Sequence, residues 1–178
     1  MQGNEDVFIE TIVKRNKTSR DKLLILGLVM LYLLIIFVSF LFLQYVMAFL
    51  PLILIGGAYG LYYMISNFDR EFEYICTNGQ LDVDLIIHKR KRKRQISVAA
   101  KDMEILAPVS SDDYKANARN TSLKVMNLTT NSSLEKVWFF VASYKGARYL
   151  VTFEPNDRIL KDLKRNNPSR VRYTMIQG

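Results

Sequence analysis

Two carboxylates one residue apart, Asp82 and Asp84 in "QLDVDLII", have the spacing of a D-x-D metal site, because on a strand both side chains share one face. Simple alternation explains the same pattern: Leu81, Val83 and Leu85 form an inward set and the acids a solvated set. Other chemistry-bearing groups are scarce. Cys76 is the only cysteine and His88 the only histidine, so no intramolecular disulfide can form, the two make a poor metal site, and both read as strand residues. No Gly-rich phosphate loop and no Ser/His/Asp constellation appears. The expectation is a protein without catalysis, cofactor or metal, and the alternative is a metal-dependent enzyme using Asp82 and Asp84.

Charge is the stronger signal. The chain carries 25 Lys and Arg against 17 Asp and Glu, a net +8, and six of the cations are consecutive: Lys89, Arg90, Lys91, Arg92, Lys93 and Arg94. Ile87 and Ile96 frame them, which places the run inside a folded segment. Such a run can contact anionic lipid headgroups, face water, or pair with acids such as Glu71, Glu73, Asp82 and Asp84 across a polar sheet face. Nucleic acid draws on the same charge, but base-stacking aromatics are not interleaved in the run and no reading helix is recognisable, which argues against that partner.

The elements that position this run begin with an apolar stretch. From Leu23 to Ile65 there is no Asp, Glu, Lys, Arg or His. One helix of that length would measure roughly 65 Å, about twice a hydrocarbon core of ~30 Å, so two spans fit and one does not. It is also far longer than the ~7 to 15 apolar residues of a cleaved signal peptide. The chain is expected to reverse near "LQYVMAFLP", with Pro51 in the first turn of the second helix. Gly56 and Gly60 have the G-x-x-x-G spacing that lets helices approach closely, within the hairpin or between two copies. Before the hairpin, "VFIETIV" places Phe8 with Ile12 and Ile9 with Val13 at helical spacing, and Lys14, Arg15, Lys17, Arg20 and Lys22 follow, the pattern of an interfacial helix. Cations flank the hairpin and none lies in its turn, so both termini are expected in the cytoplasm.

Beyond residue 69 the periodicity becomes that of strands. "EFEYICTNGQLDVDLII" alternates on either side of Asn78-Gly79, a strong hairpin signal. "RQISVAA", "SLKVMNLTT" and "KVWFFVASYKGARYLVTFEP" add further strands, the last folding back at Lys145-Gly146, with Trp138, Phe139 and Phe140 as core and edge packing. "PNDRILKDLKRNN" sets Ile159, Leu160 and Leu163 on one helical face, with Asn156 or Asp157 as cap and Pro168 beyond the end.

A twisted antiparallel sheet closed by a C-terminal helix resembles the pleckstrin-homology (PH-like) fold. With a two-span hairpin before it, the chain is similar to bacterial PH-like membrane proteins of a Firmicutes group. The resemblance is carried by "ETIVKR", "EYICTNGQLDVD", "HKRKRKR" and "VTFEPNDRIL". It implies a fold and no catalytic residues. The expected architecture is therefore α+β: an amphipathic juxtamembrane segment (1–22), a transmembrane helical hairpin (23–66), and a cytoplasmic PH-like antiparallel β-sandwich or barrel with a C-terminal capping helix (69–178). If the first strand after the hairpin leaves the membrane and the second returns, each covering ~25 Å at ~3.3 Å per residue, the run Lys89–Arg94 comes back to the level of Asp69. The expected function is a membrane-bound binding or scaffolding module held against anionic lipid, with a protein partner or a second copy also possible. A membrane tether for nucleic acid is the other reading.

Overall fold

The computed structural model describes residues 7–130 and 133–173. These fall into two compact units: one holds the residues up to Asn16, Glu71–Ile86 and the chain from Lys91 onward, the other Lys17–Arg70 and Ile87–Arg90.

The first unit is built from two four-stranded sheets. In one, β1 (Phe8–Lys14), β2 (Arg70–Thr77), β3 (Gln80–Ile87) and β4 (Lys91–Ala99) lie in sequence order. In the other, β5 (Met103–Pro108), β6 (Lys124–Asn127), β7 (Trp138–Tyr144) and β8 (Ala147–Phe153) are ordered β5-β7-β8-β6. The Asn78-Gly79 and Lys145-Gly146 turns form as expected, all four residues at positive φ as a tight hairpin turn requires. Between β5 and β6 lies a short helix, α4 (Asp112–Ala118), whose Tyr114 ring stands 5.2 Å from that of Phe139 on one face of the second sheet. The opposite face packs Phe140, Val151 and Phe153 against Tyr74, Leu81, Val83 and Ile96 of the first sheet. Ile159, Leu160 and Leu163 of α5 (Asp157–Asn166) close this core. Asn156 caps the helix, its side chain accepting from the Ile159 N–H at 2.9 Å.

Three expectations need correction here. Residues 8–14 are not an interfacial helix but strand β1, paired antiparallel with β2 along its length. The i,i+4 pairs Phe8/Ile12 and Ile9/Val13 fit both periodicities, since an even spacing also keeps residues on one side of a strand. Burial of Ile9 in the shared core and the β-branched run Thr11-Ile12-Val13 decide for the strand. The sandwich therefore begins before the apolar stretch, and 69–178 does not hold all of it. Nor is the sandwich purely antiparallel, because β6 runs parallel to β8.

The second unit is helical. Its first helix, α1 (Ser19–Leu41), opens with a capping box: Thr18 Oγ1 accepts from the Asp21 N–H and Asp21 Oδ2 from the Thr18 N–H. It is long and apolar enough to cross a membrane. The following apolar residues form α2 (Leu43–Val46), a 3₁₀ turn (Met47–Phe49), a π-helical turn (Leu52–Gly56) and α3 (Gly57–Ser66). The pieces Leu43–Phe49 and Leu52–Ser66 meet at 66°, so they make a second span only if the bent pair counts as one. Pro51 and the π turn supply the bend. The Tyr32 hydroxyl donates to the Leu54 carbonyl at 2.7 Å, joining this segment to α1. The close approach falls at Gly57, where a Cβ would sit 2.5 Å from the Tyr32 ring. Gly56 and Gly60, singled out by their spacing, meet no residue of α1 at that position.

Candidate membrane-contact site

The chain enters and leaves the helical unit at one place. Lys17 Nζ, two residues before α1, lies 3.0 Å from Asp69 Oδ1, three residues after α3. Asp69 also accepts the His88 N–H at its backbone carbonyl, 2.9 Å away, while the His88 ring meets Tyr62 of α3 edge-on with centroids 6.0 Å apart. The β3–β4 turn is thereby fastened to the end of α3. His88 and Lys89 both adopt left-handed backbone, φ 51° and 54°, and the Arg90 N–H closes the turn on the Ile87 carbonyl at 3.2 Å. Neither is Gly or Asn, so the conformation costs of order 1 kcal/mol per residue that a Gly would not incur.

The six cations divide into two groups. Lys89 and Arg90 occupy the turn, and Lys91–Arg94 open β4. Arg92 Nη2 lies 3.0 Å from Glu73 Oε1, and Arg94 is held by both acids of the D-x-D pair, its Nη1 2.5 Å from Asp82 Oδ2 and its Nε on Asp84. Asp82 also accepts from Ser97 Oγ at 2.6 Å. A guanidinium thus sits against both carboxylates, and among the described residues no cluster of three or more His, Cys, Asp or Glu could hold a metal ion. Lys89, Arg90, Lys91 and Lys93 make no ion pair among the described residues, and all four are exposed. Of the N-terminal cations, Arg20 and Lys22 lie in the first turn of α1, Lys17 is paired with Asp69, and Lys14 ends β1 with Arg15 following it.

Glu73 is the unusual acid. Its side chain is fully buried on β2, and neither oxygen has a well-aligned hydrogen bond despite the nearby Arg92. Burial raises its carboxyl above the ordinary range; Arg92 opposes that shift, and neighbouring Glu10 adds to it. Cys76 is a core thiol that donates to Asp162 Oδ2 at 3.2 Å, and burial pushes it up to about 12. Asp162 also accepts the Gly79 N–H at 2.7 Å, tying α5 to the Asn78-Gly79 turn. Sequence reading placed the basic run at the level of Asp69 but missed the contacts Asp69 makes, and it missed Tyr62 and Asp162 altogether. Only Asp162 left a signal, as an acid amid the apolar face of an amphipathic helix.

Trp138, expected as core or edge, lies in an open groove of about 710 Å³ with Thr11, Val13, Lys14, Leu160 and Tyr173, whereas Phe139 and Phe140 are fully buried.

No curated protein and no solved structure matches the chain. A family model described as bacterial PH-like domain (DUF6106) matches residues 5–173, which takes in β1, the apolar helices and both sheets. On that match over nearly its whole length, the chain belongs to the bacterial PH-like domain family.

Proposed function

We propose that this is a non-enzymatic membrane protein in which a two-span helical hairpin, with both termini cytoplasmic, holds a PH-like binding module against the anionic inner leaflet. The observation that carries the reading is the fastening of the β3–β4 turn to the exit of α3 through Asp69 and Tyr62. It gathers Lys89 and Arg90 with Lys17, Arg20 and Lys22 at one end of the helical unit, the cationic flank that the positive-inside rule assigns to the cytoplasm. A turn that holds His and Lys in left-handed backbone carries strain of the kind that gathers at functional sites, which supports a role for its side chains. Each cation near an anionic surface contributes about 1 kcal/mol. Lys89, Arg90, Lys91 and Lys93 carry the contact, while Arg92 and Arg94 serve the sheet through Glu73, Asp82 and Asp84.

Amide exchange on the full chain in nanodiscs tests this. Residues 88–93 should exchange more slowly in anionic than in neutral lipid, and the difference should vanish near 1 M salt, where the Debye length falls to ~3 Å. Replacing Lys89, Arg90, Lys91 and Lys93 by Gln should abolish it. Equal exchange in both lipids refutes the lipid contact. Orientation is read separately: an impermeant thiol reagent added to intact cells should label Tyr45→Cys and spare Ser110→Cys, and the reverse result overturns the topology.

A further inference from the structure

Strand β1 ends the first sheet, and its outer side has no strand partner among the described residues. The direction of its backbone groups follows from the pairing with β2. The Asn78 N–H bonds the Val7 carbonyl at 3.1 Å, so by the alternation of an antiparallel ladder residues 9, 11 and 13 direct their polar groups at β2. Residues 8, 10, 12 and 14 direct theirs at the free side. Past the end of the strand, the Asn16 N–H bonds the Thr130 carbonyl at 2.7 Å. The same even residues carry the exposed side chains Phe8, Glu10, Ile12 and Lys14, with Phe8 62% and Ile12 50% exposed.

The two edges of this sheet are treated differently. β4 opens with four consecutive cations, the charged edge that discourages strand addition. β1 instead shows an apolar and self-complementary row. An antiparallel copy centred on Ile12 sets Ile12 opposite Ile12, Glu10 opposite Lys14, and Lys14 opposite Glu10. The free N–H and C=O groups of Glu10, Ile12 and Lys14 then meet in register, and the ladder stops there, because Phe8 would face Asn16, whose N–H is already bonded to the Thr130 carbonyl. The arrangement is isologous, with each patch answering itself across a two-fold axis. Lys14 makes no ion pair among the described residues. Glu10 adjoins Glu73, whose buried carboxyl oxygens have no well-aligned hydrogen bond and only Arg92 for a cation. The Lys14 of a second copy brings the charge this acid pair is short of.

We infer that β1 is a homodimer interface: two copies join edge to edge in antiparallel register about Ile12, with Glu10 and Lys14 paired reciprocally. This goes beyond the lipid contact proposed above and uses none of its residues. Full chain in detergent or nanodiscs provides the test. Ile12→Cys should give a covalent dimer on mild oxidation, because Cα atoms ~5.5 Å apart in such a pair fit a disulfide. Phe8→Cys, displaced from its own copy by ~26 Å in this register, should not. The native Cys76 is buried and silent. Glu10→Lys and Lys14→Glu should each weaken dimerisation at least tenfold, and the two together in one chain should restore it, the signature of a reciprocal pair. Ile12→Pro removes an N–H that points only at the free edge, so it should abolish the dimer and leave the fold intact. A monomeric parent chain, a dimer in which Ile12→Cys does not cross-link, or charge reversals that fail to rescue one another would overturn the proposal. A dimer formed through the glycines of the helical unit would give the second of these results.

Discussion

Helices α1 and α5 are both capped by a polar residue at the N-terminus and both rich in Leu and Ile, yet they bury opposite things. In α5 the apolar residues Ile159, Leu160 and Leu163 are buried in the sandwich core, and Arg158, Lys161 and Arg165 face outward. In α1 the apolar residues cover the whole circumference and stay exposed or half-buried, and the one buried side chain is Ser39, whose hydroxyl turns back to the Ile35 carbonyl at 2.7 Å. The hydrophobic effect removes the apolar stripe of α5 from water by burying it in protein. The apolar surface of α1, a helix long and apolar enough to cross a membrane, has no such protein cover among the described residues, and in the function proposed above bilayer hydrocarbon takes that place. What an apolar side chain contributes to stability thus depends on which medium covers it.

The sharpest way to break this comparison is a matched pair of truncations. Leu163→Ala opens a cavity in a closed core and should cost ~2 to 5 kcal/mol. Leu31→Ala, on exposed helix surface, should change the stability of the sandwich by no more than about 0.5 kcal/mol. Denaturation of the full chain in detergent, followed through the single Trp138 of the sandwich, measures both. An equal cost for the two would mean that α1 is packed against protein.

The contrast between the helices was readable in the sequence, because a 3.6-residue stripe and an uninterrupted apolar run look different at any length. Hairpin turns at Asn78-Gly79 and Lys145-Gly146 and the Asn156 cap were readable for the same kind of local reason. Elements whose evidence is not local escaped. β1 has a spacing that serves helix and strand equally, and its strand partner lies beyond the entire apolar stretch. β5 buries both Leu106 and Ala107, so it shows no alternation, and α4 is too short for a periodic face. The parallel pairing of β6 with β8 depends on the chain path alone. At the site, the run of six cations was plain, but its division was not. Which of them meet acids depends on where Glu73, Asp82 and Asp84 fall once β2, β3 and β4 are aligned.

A smaller effect sharpens the picture of α5 as a buried clamp rather than a lid. Asp162 is buried, accepts from the Gly79 N–H and the Cys76 thiol, and is paired with Arg165 at 2.8 Å. Gly79 cannot move away from it without losing the turn, and a Cβ there would lie 2.5 Å from Asn166. Asp162→Asn keeps the volume but replaces an acceptor by a donor facing other donors. It should destabilise the sandwich by about 1 to 3 kcal/mol and speed amide exchange at Gly79. Unchanged exchange at Gly79 would show that the turn holds itself without α5.

The smallest effect belongs to a charge pair that is not buried. Glu104 of β5 and Arg148 of β8 meet with Nη2 2.5 Å from Oε2, and both side chains are nearly half exposed. The hydrogen bond from Arg148 lowers the Glu104 carboxyl from its ordinary 4.5, partly offset by desolvation. A lowered folded-state value means stability that is fully present above pH 4.5 and lost as pH falls through the folded value. Water screens an exposed pair, so the amount is below about 1 kcal/mol. Glu104→Gln should therefore cost a few tenths of a kcal/mol at neutral pH. Its stability curve should converge with that of the parent chain in acid. A loss as large as that of Asp162→Asn, or one that persists in acid once the Glu104 carboxyl of the parent chain is protonated, would place this pair among the buried contacts and erase the distinction between covered and uncovered polar groups.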